Sequence, residues 1–120
     1  MSDVDMSSRN PSPPLGPAVF HILLALAGGD RHGYAVMQAV HEQSGGRVPL
    51  RTGSFYRHLG KLIDAGFVDA APRRPADDDP RRGTYYRLTA RGRQALAAEQ
   101  QRLLELVATM KRLRPAARKG

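Results

Sequence analysis

The sequence has 120 residues, 41% of them hydrophobic, a formal net charge of +8 and no cysteine. That length fits one ordinary domain with a single modest core, and the charge points to an anionic partner, either nucleic acid or an anionic membrane surface. The missing cysteines exclude disulfides, thiolate catalysis and cysteine-ligated zinc, and they fit a reducing cytoplasm, the expected location.

Residues 1–14 are polar and rich in Ser and Pro, the composition of a disordered tail. Pro17 suits the first turn of a helix, where its missing N–H is not needed. Leu15, Val19, Ile22, Leu23 and Leu26 then recur at helical spacing until Gly28-Gly29 stops the helix after Ala27. This apolar run is too short to span a bilayer and has no basic segment ahead of it, so it reads as a buried core helix and not as an export signal. Asp30 is the expected N-cap of a second helix, on which Tyr34, Met37, Val40 and His41 share a face. Gly45-Gly46 ends it and Pro49 keeps it from resuming.

Thr52 is the expected N-cap of a third helix reaching Ala65, with Phe55, Leu59, Leu62 and Ile63 as its apolar stripe and Gly66 as its stop. Phe67-Val68-Asp69-Ala70 and Thr84-Tyr85-Tyr86-Arg87-Leu88 read as two strands of a β-hairpin. Between them, residues 72–83 form an exposed loop with Arg73, Arg74, Arg81, Arg82 and the acidic run Asp77-Asp78-Asp79. Thr89 caps a last helix running to Leu113, roughly 37 Å long at 1.5 Å per residue. Leu96, Leu103 and Met110 lie seven apart on it, Leu106 and Leu113 form a companion row, and Glu99 is a polar gap in this approximate heptad seam. Residues 114–120 are a basic tail.

The expected fold is mainly α with a small β-hairpin. Three short helices before a charged hairpin make a winged helix-turn-helix over residues 15–88, followed by a long dimerisation helix over 89–113. In such folds the second helix of the motif enters the major groove; here that is the helix starting at Thr52. Ser54, Arg57, His58 and Lys61 share the face opposite its apolar stripe and offer donors and positive charge, which suit phosphates and guanine edges. Tyr56 sits at the edge of the stripe, where packing and a hydroxyl contact to phosphate both remain open. Arg73, Arg74, Arg81 and Arg82 can reach neighbouring phosphates, although the acidic run partly cancels them. A polar helix face alone reads equally well as solvated surface; the hairpin that follows turns the reading towards double-stranded DNA.

The apolar seam marks a homodimer interface on the last helix, over Leu96, Leu103, Leu106, Val107, Met110 and Leu113. A basic membrane-surface protein is an alternative, but Glu99, Glu105 and the heptad spacing favour a partner helix, so no membrane partner is expected. Enzymatic readings fail. His21, His32, His41 and His58 offer no i, i+4 metal pair, and there is no Gly-x-Gly-x-x-Gly or phosphate-loop pattern, so neither metal nor cofactor is expected.

His32-Gly33-Tyr34, Thr52-Gly53-Ser54-Phe55-Tyr56, Leu62-Ile63-Asp64-Ala65-Gly66-Phe67-Val68 and Tyr85-Tyr86-Arg87-Leu88-Thr89-Ala90-Arg91-Gly92, in this order, resemble the PadR family of bacterial transcriptional regulators. The resemblance spans Leu15 to Leu113 and fits the short branch with a single C-terminal helix. It implies a winged helix-turn-helix that dimerises through its first and last helices, which adds Leu15 and Val19 to the dimer interface, and that represses by occupying an operator. It also implies release by a small apolar or aromatic effector near the dimer interface, with Phe20 as the candidate ligand contact; a module whose main output is ligand capture is the alternative. Members often carry Pro-Gly-Thr-Leu-Tyr where this chain has Thr52-Gly53-Ser54-Phe55-Tyr56, and the wing of this chain is longer and more acidic.

Overall fold

Four helices and three short strands follow one another in a computed structural model that describes residues 14–71 and 83–113. They are α1 (Pro17–Ala27), β1 (Arg31–His32), α2 (Gly33–Ser44), α3 (Thr52–Asp64), β2 (Val68–Ala71), β3 (Tyr85–Leu88) and α4 (Ala90–Arg112). The expectations for most of the two tails and for the four loop arginines fall outside the described residues.

Helix α1 is the centre of the core. Its Ile22, Leu23 and Leu26 are fully or almost fully buried, and α2, α3, β3 and α4 all pack against it. Pro17 does occupy the first turn, and Gly28 takes the C-cap. Helix α2 starts differently from the sequence expectation. His32, not Asp30, is its N-cap, and its Nδ1 accepts from the Ala35 N–H at 3.4 Å. Asp30 is instead drawn to Arg87, 57 positions away, which donates to it through Nη2 at 3.0 Å and Nε at 3.3 Å. The buried face of α2 is also turned. Gly33, Val36, Val40 and Ser44 face the core, so Tyr34 is 64% exposed and His41 points outwards. Gly45 closes the helix in the left-handed conformation (φ 63°), which glycine adopts without a Cβ clash.

The hairpin is part of a three-stranded antiparallel sheet in the order β1–β3–β2. Register pairs Val68 with Leu88 and Ala71 with Tyr85 on one side of β3, and His32 with Tyr85 on the other. Two-residue β1 carries no period-2 signal of its own, so sequence reading passed over it. Its His32 ring meets Tyr85 edge-on at 5.8 Å between centroids. Val68 and Leu88 join the main core, the Ala71–Tyr85 pair is buried outside that cluster, and Asp69 and Arg87 are exposed.

Helix α4 begins at Thr89 as expected, whose hydroxyl accepts from the Gly92 N–H at 2.9 Å. The heptad seam is not one continuous surface. Leu96 packs against the chain's own core together with Leu15 and Val19. Glu99, expected as a gap in a partner interface, is only 7% exposed and lies inside the fold. One carboxylate oxygen accepts from the Leu15 N–H at 3.3 Å, and Arg102 binds both oxygens. The bond from Arg102 is the main reason the Glu99 carboxyl is held below its usual range, and Leu15 adds to the effect. The seam is uncovered only from Leu103 onwards.

Candidate nucleic-acid interface

Helix α3 is seated by Phe55, Leu59 and Leu62, all essentially excluded from solvent. Burial of each contributes about 1.5–3 kcal/mol, which fixes the rotation of the helix about its axis. Arg51 rather than Thr52 takes the N-cap position; Thr52 is the first helical residue, and neither makes a side-chain cap bond. The Arg51 carbonyl accepts from the Phe55 N–H at 2.8 Å and from the Ser54 hydroxyl at 3.1 Å.

With the rotation fixed, Gly53, Tyr56, Arg57, Gly60, Lys61 and Asp64 form the outward row, at i, i+3, i+4, i+7, i+8 and i+11. The face expected from sequence was Ser54, Arg57, His58 and Lys61. Arg57 and Lys61 are on the exposed row, whereas Ser54 and His58 lie half-buried at its border. The difference follows from Ile63, which is only half-buried, so that Phe55, Leu59 and Leu62 alone define the buried direction.

Tyr56 shows the packing that its position allowed. Its ring meets Phe55 edge-on at 4.8 Å, yet 46% of the residue is exposed. Its hydroxyl rests against Gly33 at the start of α2, in space that a Cβ at that position would fill. Tyr86 of β3 is close by: burial pushes its phenol up from the ordinary value, and neighbouring Tyr56 adds to the rise. One side chain thus ties the exposed row of α3 to the start of α2 and to the sheet. Exposed Tyr34 stands next to this point and accepts from the Gln38 side-chain amide at 3.3 Å.

Gly53, Gly60 and Asp64 of the row escaped the sequence reading. Gly53 and Gly60 lie on the outer surface of a helix, and nothing lies within 4 Å of where their Cβ atoms would be. A helical glycine costs roughly 1 kcal/mol relative to alanine, and no close packing within the described residues calls for it. The available signal was their seven-residue spacing, which places them on the side of Arg57 and Lys61.

Elsewhere in the fold, α1 and α4 leave an open apolar groove of about 280 Å³, lined by Phe20, Leu24, Leu96, Gln100 and Leu103. Phe20 is where the sequence reading put a ligand contact. From Leu103 at the groove onwards, Leu104, Leu106, Val107 and Met110 of α4 and its C-cap Leu113 are exposed as well. Leu104 was outside the heptad rows and was not anticipated. Among the described residues no group of three His, Asp or Glu side chains could hold a metal ion, and no helix is long and apolar enough to cross a membrane.

Three short helices, a strand-edged sheet and a long closing helix, with a basic row on the third helix, define a winged-helix regulator. The model of the transcriptional regulator PadR-like family matches residues 22–98, and the chain belongs to that family of transcriptional regulators, which are not enzymes. Its fold is similar to that of a transcriptional regulator from Clostridium thermocellum (17% identity, TM-score 0.65, 96% of this chain and 98% of that one). It is also similar to a PadR family transcription regulator from Clostridium difficile (19% identity, TM-score 0.66, 81% and 97%). Bacillus subtilis PadR, solved in complex with operator DNA, is 26% identical over 67% of this chain and 44% of that one, with a TM-score of 0.55. No curated protein matches the sequence.

Proposed function

We propose that the chain is a homodimeric repressor that binds a palindromic operator in duplex DNA through α3. The observation that carries this reading is the outward row of α3, where Tyr56 and Arg57 stand between two glycines and Lys61 follows the second, on a rigid apolar seat. Arg57 and Lys61 supply donors for guanine edges and phosphates. The glycines let the backbone of α3 lie close to the floor of a groove, as glycine does where backbone must approach a ligand. Asp64, the acidic member of the row, is at its C-terminal end, away from the N-terminal residues that meet bases in helix-turn-helix docking. The operator complex of Bacillus subtilis PadR supports the same partner.

The uncovered apolar row on α4 supports a two-fold partner, and a two-fold protein reads a two-fold site. The groove beside Phe20 supports the control: a small apolar or aromatic molecule there touches α1 and α4 together and releases the operator. Selection of bound duplexes from a random pool tests the main reading. A recovered palindrome is the expected result; recovery of no consensus sequence refutes it. Calorimetry against phenolic and planar aromatic compounds tests the control. By linkage, a compound that weakens operator binding is itself bound more weakly on the operator, by the same factor.

A further inference from the structure

The end of α3 and the start of α4 are 26 positions apart in sequence, yet hydrogen bonds join them directly. Helix α3 closes in a tight turn. The Gly66 N–H donates to the Ile63 carbonyl at 3.0 Å and the Phe67 N–H to the Leu62 carbonyl at 2.9 Å, with Gly66 in the left-handed region (φ 83°). Gly66 and Phe67 therefore move with α3. Both of their carbonyls are taken by one residue, Thr89. Its N–H donates to Phe67 at 3.1 Å and its hydroxyl to Gly66 at 2.7 Å, while the same hydroxyl oxygen accepts from the Gly92 N–H at 2.9 Å.

Two further contacts lock the junction. Gly92 lies so close to the Phe67 carbonyl and the Leu88 side chain that no Cβ fits there. The Arg91 guanidinium lies over the Phe67 ring, 5.7 Å from its centre. A hydroxyl that both gives and takes a bond in one fixed orientation leaves little freedom to pivot.

We infer that Thr89 is a positioning residue that locks α4 to α3, so that the direction of α4 sets the placement of the reading helix. This rests on the proposed roles of α3 and α4. Helix α4 has 23 residues and is about 35 Å long at 1.5 Å per residue. A pivot of about 10° at the joint therefore moves its far end by about 6 Å, the scale of one helical turn. A locked joint makes the dimer intolerant of a changed half-site spacing, because each added base pair turns the second half-site by about 35°. It also carries any tilt of α4 straight to α3.

The test has two arms. The first needs no DNA. The chain has no cysteine, so Gly53→Cys with Ala108→Cys places spin labels on α3 and α4 alone. The expected distance distribution is narrow in the parent, broad with Thr89→Val added, and narrow again with Thr89→Ser, which keeps the hydroxyl. A Thr89→Val distribution as narrow as the parent's overturns the inference. The second arm measures affinity of the unlabelled chain for the selected operator with its spacer shortened or lengthened by one base pair. The parent should lose at least tenfold for either change. Thr89→Val should flatten that loss to within about threefold while binding a single half-site as the parent does. Equal weakening at every spacing overturns the inference by assigning Thr89 a general stabilising role. Failure of the parent to bind DNA, with the label distances as expected, removes the operator reading and leaves the joint standing.

Discussion

Removing apolar side chains from the uncovered part of α4 gives the most direct quantitative test of assembly. Leu106 is 47% exposed and Met110 is 70% exposed. Truncating either to alanine removes three heavy atoms, worth about 2.4 kcal/mol if all of them leave water, at about 0.8 kcal/mol per methylene. Scaled by the exposed fractions, a partner has about 1.1 kcal/mol to gain at Leu106 and about 1.7 kcal/mol at Met110. A two-fold interface uses each residue twice, so full coverage loses about 5–6 kcal/mol and half coverage about 3 kcal/mol. The dimer Kd of the Leu106→Ala, Met110→Ala double variant should therefore rise at least 100-fold, at about 1.4 kcal/mol per decade. Neither side chain is in the core, so the protomer should keep its helical circular dichroism. Sedimentation velocity over a concentration series measures the change. A parent chain that is monomeric at micromolar concentration, or a variant with an unchanged Kd, refutes the reasoning.

Arg57→Ala should lose about 1–3 kcal/mol on the selected operator and much less on scrambled duplex, whereas replacing Arg81 and Arg82 together by Ala should weaken both duplexes alike and flatten the salt slope by about 0.9 per lost contact. Salt titrations on the two duplexes check this, and a change of base preference confined to the Arg81/Arg82 variant reverses the assignment. Gly60→Ala should stabilise the fold by up to about 1 kcal/mol in thermal melts and yet weaken operator binding; a gain in both sinks the close-approach argument. Glu99 has a folded pKa below its unfolded value of about 4.3. Its contribution to stability is complete above that value and disappears as pH falls through the folded one. The melting difference between the parent and Glu99→Gln should therefore be constant near neutrality and shrink on the acid side of the glutamate range; a difference that persists unchanged into strong acid argues against the carboxylate's role.

What could be read from the sequence was what acts locally. Gly28, Gly45, Gly66 and Thr89 end or begin helices through bonds within a few residues, and each was legible. Phe55, Leu59 and Leu62 announced the buried side of α3 by their spacing alone. Long-range competition was not legible. Asp30 is a good capping residue by type, but Arg87 lies across the sheet and takes it. Glu99 looked like a defect in an interface because nothing in its neighbourhood shows that the Leu15 N–H needs an acceptor there. A two-residue strand such as β1 exists only because β3 passes beside it. The rotation of α3 by about one residue had the same origin, since the partial exposure of Ile63 is decided by what packs around it.

Strand β3 lies in the middle of its sheet, bonded to β1 on one side and β2 on the other. β1 leads directly into the cap of α2, since His32 belongs to both. The segment joining β2 to β3 is therefore inserted between two strands whose placement is settled elsewhere in the fold. Doubling the length of such a connection costs only about 0.6 kcal/mol in closure entropy. Exchanging this segment for others of different length and charge should therefore cost the fold little, and on the proposed reading of α3 it should change nonspecific affinity without moving that helix.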